Sequence, residues 1–124
     1  MRRRQIRLKR VYEKSDPGDG LRVLVDALWP RGLSKRDVSA DVWLREAAPS
    51  TALRRWYGHD VRRWKTFRQK YRQELARQPH VLDVLDDLRR RTPITLLYSA
   101  RDETHNNAVV LREMLDKETL DESR

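Results

Sequence analysis

Residues 94–110 read ITLLYSARDETHNNAVV and combine a strand signal, a polar turn and the start of a helix. The first five residues, which follow Pro93, form a short apolar run typical of a buried strand. The segment that begins at Ala108 repeats apolar residues with helical spacing, and we expect its helix to start near Thr104. Ligands of open α/β sheets bind outside the carboxyl ends of the strands, so this turn is the first candidate for a functional site.

Two segments near the N-terminus predict strands that can pair with this one. Ile6 and Leu8 alternate with basic residues that would face outward, as in a half-buried strand. Residues 21–25 are largely apolar, which indicates a strand buried on both faces. Residues 41–44 favour a third strand, with part of a helix as the alternative.

Helix signals fill the rest of the chain. Capping residues or a first-turn proline predict helix starts at Ser34, Ser50, Asp60 and Pro79. We expect the helix after Asp60 to end near Arg77 and the last helix to end near Lys117. Early strands, central helices and a final strand and helix predict one compact α/β domain, with a small mixed or largely parallel sheet flanked by helices. We assign it to residues 6–118, between a basic arm at 1–5 and a frayed tail at 119–124.

Composition narrows the class of protein further. The length of 124 residues fits one domain, and the absence of cysteine excludes disulfides, thiolate metal sites and cysteine nucleophiles. No apolar segment follows the first basic residues, so we expect no signal peptide, and no apolar run is long enough to span a membrane. These features predict a cytoplasmic protein without membrane contact.

The formal net charge is +9, and it is unevenly distributed. Six basic residues lie within residues 1–10, and residues 54–72 contain eight basic residues against the single acid Asp60. Such clusters can attract nucleic acid, with the helix at 54–72 and the N-terminus as the binding surface. The simpler interpretation is a solvated, arginine-rich surface.

Several segments in order also match a known family. They are residues 19–26 (DGLRVLVD), 28–35 (LWPRGLSK), 43–44, 48–50, 58–60 and 96–98, followed by Asp102, His105, Asn106 and residues 108–111. Over about residues 6–115 the chain resembles the DUF488 family, in its YeaO-like branch. The resemblance implies a compact α/β fold in a small bacterial or archaeal cytoplasmic protein, and it brings no established reaction. The family usually has arginine at the position of Ala27.

The candidate catalytic residues are His105, Asp102 and Asp26. Asp26 follows the second predicted strand, and the other two follow the last strand. If these strands are parallel neighbours, both loops leave the same edge of the sheet and the three side chains can converge in one cleft. His105 could then serve as an acid or base, with a structural hydrogen-bonding role as the alternative.

The candidate ligand-binding residues are Arg31, Arg101, Trp29, Ser99, Asn106 and His59. The two arginines beside a helix N-terminus favour an anion such as phosphate or carboxylate. In the alternative interpretation, Asp102 or Thr104 caps the helix and Arg101 pairs with Asp26. For His59 a turn or packing role is favoured.

We therefore predict a small-molecule anion-binding protein, possibly an enzyme, with nucleic-acid binding as the second hypothesis. No metal site is predicted, because Asp26, His59, Asp102 and His105 have suitable ligand types but no metal-binding spacing. The sequence identifies no cofactor and leaves the oligomeric state open.

Overall fold

Within residues 5–122, which a computed structural model describes with side chains as far as Lys117, four strands form one sheet. The strands are β1 (Ile6–Arg10), β2 (Leu21–Leu24), β3 (Val42–Trp43) and β4 (Ile94–Tyr98). Their order in the sheet is β1-β4-β2-β3, and all three pairings are parallel. The α/β prediction is therefore confirmed, and of its two alternatives the parallel sheet is the one observed.

Five α-helices lie within the same residues. They are α1 (Lys35–Val38), α2 (Thr51–Tyr57), α3 (Trp64–Ala76), α4 (Pro79–Arg91) and α5 (Asn107–Glu122). The hydroxyl of Ser34 accepts from the N–H of Asp37, and the hydroxyl of Ser50 accepts from the N–H of Leu53, so both predicted caps are confirmed. No helix among these residues is long and apolar enough to cross a membrane.

Two helix starts differ from the prediction. Asp60 caps a short 3₁₀ turn, Val61–Arg63, and α3 begins only at Trp64. The last helix begins at Asn107 instead of Thr104 and continues to Glu122, beyond the predicted end near Lys117. Most of the predicted N-terminal arm, residues 1–4, and the last two residues of the predicted tail lie outside the described residues.

The core has two parts because alternate residues of the buried strands face opposite sides of the sheet. On one side, Leu96 and its neighbours in β4 pack with apolar residues of α2 to α5. On the other side, Leu97 and Leu24 pack with Val38 of α1 and with Trp29. Strand β4 is buried along its whole length, as its apolar sequence predicts.

A buried ionic cluster ties β1 to β2. The carboxylate of Asp19, only 2% exposed, accepts from the ammonium of Lys9 at 3.1 Å and from the guanidinium of Arg22. Arg22 also donates to the carbonyl oxygen of Val38 at 2.9 Å, and the Thr95 hydroxyl donates to the carbonyl of Asp19 at 2.7 Å. Lys9 therefore turns toward a buried acid, where the sequence predicted an outward-facing side chain.

Candidate functional site

The loops after β2 and β4 meet at one edge of the sheet. The strands are parallel neighbours, with Leu24 beside Leu97 in register, so their carboxyl ends coincide. A pocket of about 450 Å³ opens there. Most of its lining comes from both loops, from α2, α3 and the start of α5, and from the segment at 48–49. The lining residues are Tyr12, Asp26, Ala27, Leu28, Trp29, Pro30, Arg31, Ala48, Pro49, Arg54, Tyr57, His59, Phe67, Ser99, Ala100, His105, Asn106 and Asn107.

Asp26 joins the two loops to the start of α5. One carboxylate oxygen accepts from the backbone N–H of Ser99 at 2.9 Å and from its hydroxyl at 2.7 Å. The other oxygen accepts from the side-chain amide of Asn107 at 3.1 Å, and that amide also donates to the carbonyl of Val25 at 2.9 Å. The predicted alternative, an Asp26–Arg101 pair, is not observed among the described residues. Asp26 thus holds the inner wall of the pocket together.

His105 and Asp102 form a hydrogen-bonded pair at the pocket wall. Nδ1 of His105 lies 2.9 Å from a carboxylate oxygen of Asp102, and this contact requires Nδ1 to carry a proton. In the neutral imidazole, Nε2 is then a proton acceptor. The ring packs edge-on against Trp64, with the ring centroids 5.2 Å apart.

Asp102 is a turn residue, and α5 has a different cap. Its carboxylate accepts from the backbone N–H of Thr104 and of His105, each at 3.0 Å. The hydrogen bond from the Thr104 N–H is the main cause that lowers the pKa of Asp102, so the carboxylate is ionised at neutral pH. Asn106 caps the helix, since its side-chain oxygen accepts from the N–H of Val109 at 3.1 Å. The prediction that Asp102 or Thr104 caps α5 is therefore wrong.

Four aromatic rings contribute to the pocket lining. Trp29 is half-buried and packs edge-to-face on Trp43, with the ring centroids 5.3 Å apart. Tyr57 and Phe67 are stacked at 4.2 Å, and Tyr12 reaches the rim. Burial, aided by the charges of Asp102 and Asp60, raises the pKa of Tyr57, so its hydroxyl is protonated and donates to the carbonyl of His105 at 3.0 Å. The sequence indicated Trp29 as a ligand-binding residue and did not select Tyr12, Tyr57 or Phe67.

Two arginines, one from a loop and one from a helix, contribute positive charge to the pocket lining. Arg31 is exposed and lines the pocket from the loop after β2. Arg54 lines it from α2, and its Nε atom is buried without a hydrogen-bond partner. His59, at a backbone φ of +57°, is exposed at the end of α2. Arg101 is exposed and does not contribute to the lining, so a binding role for it stays a prediction.

Sequence reasoning did not select Arg54 as a site residue. It is one of eight basic residues at 54–72, and nothing in its immediate sequence distinguishes it from Arg55. The Ser50 cap fixes where α2 begins, but it does not determine which face of α2 packs against the sheet.

Several residues of the remaining basic block already form contacts, either within the block or with α5. Arg62 pairs with Asp60 at 3.0 Å, and Arg68 pairs with Glu113 of α5 at 2.6 Å. The ammonium of Lys70 lies 4.6 Å from the centroid of the Trp56 ring. These contacts reduce the charge that the block can offer to a polyanion.

The described part of the chain shows no arrangement of side chains suited to a metal ion. Across these residues, no group of three or more histidine, aspartate or glutamate side chains is placed to hold a metal ion.

Comparison with known proteins gives close relatives of similar length. The chain is 44% identical over 110 residues to the uncharacterized protein YeaO of Escherichia coli, an alignment that covers 89% of this chain and 96% of that protein. It is 38% identical over 119 residues to the uncharacterized proteins Mb3100c of Mycobacterium bovis and Rv3073c of Mycobacterium tuberculosis, covering 94% of this chain and 98% of each relative. No solved structure matches the chain.

A family model described as the inactive DUF488-N3 subclade matches residues 5–124. The match spans both strands that precede the pocket and all five helices. The chain therefore belongs to the DUF488 family, in its YeaO-like branch.

Proposed function

We propose that this protein binds a small anion, a phosphate or a carboxylate, in the pocket at the carboxyl edge of its sheet. The observation that carries the proposal is Arg54, a pocket-lining arginine whose Nε is buried without a hydrogen-bond partner. A buried donor without a partner costs about 1–3 kcal/mol. Nη2 of Arg54 donates to the Thr51 hydroxyl at 3.0 Å, and an anion in the pocket that accepts from Nε would remove this cost.

The charges of the lining support the same proposal. Among the described residues, the only carboxylate in the lining is that of Asp26, and its two oxygens already accept three hydrogen bonds from Ser99 and Asn107. Arg31 and Arg54 carry two positive charges, so the lining has a net positive charge even with neutral histidines. A positive, partly enclosed lining favours an anionic ligand over a cation.

We favour binding over catalysis for this pocket. The matching family model describes its subclade as inactive, and Ala27 stands where the family usually has arginine. The oxygens of Asp26 accept from Ser99 and Asn107, so these side chains serve to join the loops of the pocket wall. Among the predicted catalytic residues, His105 keeps its Nε2 atom available as a hydrogen-bond acceptor. We assign this atom a contact with the ligand.

The test compares Arg54→Gln with Arg55→Gln in a thermal-shift titration with inorganic phosphate and acetate. Arg55 is the adjacent residue on α2, is exposed and does not line the pocket, so it is a matched control for charge. At a ligand concentration of about 100 times Kd, binding should stabilise the wild type by about 2.7 kcal/mol. We expect Arg55→Gln to keep this stabilisation and Arg54→Gln to lose most of it, because the anion loses its main partner.

Two outcomes would contradict the proposal. If both variants lose the stabilisation by the anion equally, anion binding depends only on the overall charge of the surface. Stabilisation by DNA or RNA that falls steeply with salt, without any effect of small anions, would favour the nucleic-acid hypothesis. Deleting residues 2–4 and neutralising Arg62 and Arg63 should then abolish that effect.

A further inference from the structure

The pocket is larger than a simple anion requires. Its volume of about 450 Å³ falls within the range of about 300–1,000 Å³ that is usual for drug-sized ligands. Inorganic phosphate bound at Arg54 would fill a small part of it. Most of the volume would therefore be in contact with the rest of a larger molecule or with water.

Aromatic side chains form part of the remaining walls, and the Trp29 ring among them is held rigidly. The indole N–H of Trp29 donates to the carbonyl of Leu33 at 2.7 Å, which fixes the ring. Trp43, which supports Trp29 from behind, donates to the carbonyl of Asp26 at 2.8 Å and has the Arg45 guanidinium 3.7 Å from its ring centroid. Such a wall offers ring surface at little entropic cost to a ligand.

The polar groups of the lining mostly have partners inside the protein. The hydroxyl of Tyr12 donates to the carbonyl of Arg31 at 3.2 Å, and that of Tyr57 donates to the carbonyl of His105. The Ser99 hydroxyl donates to Asp26, and the Asn107 amide uses both of its hydrogens on Val25 and Asp26. A ligand with many hydroxyl groups would have to leave its own groups unpaired or break these bonds, and either is unfavourable.

We infer that the bound anion is the head group of a compound with a planar, largely apolar ring, so that the ring meets Trp29 while phosphate or carboxylate meets Arg54. This inference rests on the proposed function and names the ligand class of the same pocket. Contact with an aromatic wall stabilises a planar aromatic ring through burial and ring–ring geometry, whereas a polyol buries less apolar area and has no ring–ring geometry. Sugar phosphates and free oxyanions are therefore the disfavoured ligands.

The experiment measures Kd by calorimetry for phenyl phosphate, glycerol 3-phosphate and inorganic phosphate, and repeats the comparison with benzoate and acetate. We expect the ring compound of each set to bind the wild type at least about tenfold more tightly than the others, a difference equal to about 1.4 kcal/mol. The Kd values of adenosine monophosphate and ribose 5-phosphate then show whether the ring of the natural ligand is a nucleotide base or a simple aryl group.

Variants of Trp29 locate the ring contact. Trp29→Leu should weaken phenyl phosphate about tenfold and leave inorganic phosphate unchanged, while Trp29→Phe, which keeps a ring, should restore most of the affinity. Trp56→Leu is the control, since Trp56 is also half-buried but does not line the pocket. The phosphate titration of each variant shows whether its pocket is intact.

The two proposals fail in different ways. If no anion of either set binds the wild type, the proposed function is wrong. If inorganic phosphate or glycerol 3-phosphate binds as tightly as phenyl phosphate, and Arg54→Gln abolishes that binding, the anion site stands and the ring inference is overturned. The comparison within the wild type needs no variant, so a misfolded Trp29→Leu cannot obscure it.

Discussion

Gly20 shows how one residue can control the approach of two strands. Its φ is +64°, and a Cβ atom at this position would lie 2.1 Å from the carbonyl oxygen of Pro93, directly before β4. That carbonyl accepts from the N–H of Leu21 at 2.8 Å, so it cannot move away without a loss to the sheet. We expect Gly20→Ala to lower the free energy of unfolding by about 3 kcal/mol or more, from the steric clash and the strained φ together.

Gly32→Ala is the matched control for this prediction. Gly32 also has a positive φ, +82°, but a Cβ there would meet nothing within 4 Å. The backbone strain alone should cost about 1–2 kcal/mol. Urea denaturation of both variants measures the difference, and similar values would mean that a small shift of β4 relieves the contact at Gly20.

At the scale of single residues, the sequence predicted the part of the site that follows the strands. Asp26, Trp29, Ser99 and His105 were identified because strand ends can be recognised locally, and all four line the pocket. Arg54 comes from a helix packed over the sheet. Its position depends on how α2 lies against the strands, and no local spacing or charge pattern specifies that packing.

At the scale of elements, the start of α5 depends on Asn106. This residue is 2% exposed; it caps the helix through the N–H of Val109, and its amide donates to the carbonyl of Asp102 at 2.9 Å. We expect Asn106→Ala to destabilise the protein by about 1–2 kcal/mol, because a helix cap and a buried hydrogen bond are both lost. Thermal unfolding measured by circular dichroism tests this change.

Comparison with Thr104→Ala tests which of the two residues caps α5. The Thr104 side chain is exposed and bonds only locally, to Asp102 and His105, in the described structure. The substitution should cost less than about 0.5 kcal/mol, as is usual for surface changes. A larger loss for Thr104→Ala than for Asn106→Ala would mean that α5 starts where the sequence first suggested.

The sequence misplaced this helix start for a physical reason. Asp102 accepts from the N–H groups two and three residues later, which is the same local pattern as a helix cap. The pattern therefore occurs twice in succession, at Asp102 and at Asn106. Only the packing of α5 decides between them: Ala108 and Leu111 are fully buried in the core beside the sheet.

At the scale of the whole molecule, the Asp19 cluster links stability to pH. Burial alone would raise the pKa of Asp19, but hydrogen bonds from Lys9, the Asp16 N–H and Arg22 outweigh it and lower the pKa below its ordinary value. A lowered pKa in the folded state adds stability above the unfolded pKa of about 3.9, and this stability is lost as the pH falls through the folded pKa. Asp19→Asn should therefore cost about 3 kcal/mol at pH 7, because Lys9 and Arg22 lose their counter-charge.

The measurement is urea denaturation of wild type and Asp19→Asn at pH 7 and at steps down to pH 3. The difference in the free energy of unfolding between the two proteins should shrink in the acidic range, where the wild-type carboxylate becomes protonated. Asp83→Asn is the control, since Asp83 is exposed on α4 and forms no ion pair in the part of the chain that the structure describes. A difference that does not change with pH would mean that Asp19 acts through shape and hydrogen bonding alone.

The strand order has a consequence for synthesis on the ribosome. β4 lies between β1 and β2, yet it is the last of the four strands to be synthesised, after about three-quarters of the chain. Until residues 94–98 emerge, β1 has no strand to pair with and β2 can pair only with β3, so apolar surface of both strands stays open to chaperones or to other nascent chains. A product that ends before residue 94 would lack the strand that joins β1 to the rest of the sheet and would keep only the short β2–β3 pairing, so assembly of the sheet depends on about the last quarter of the chain.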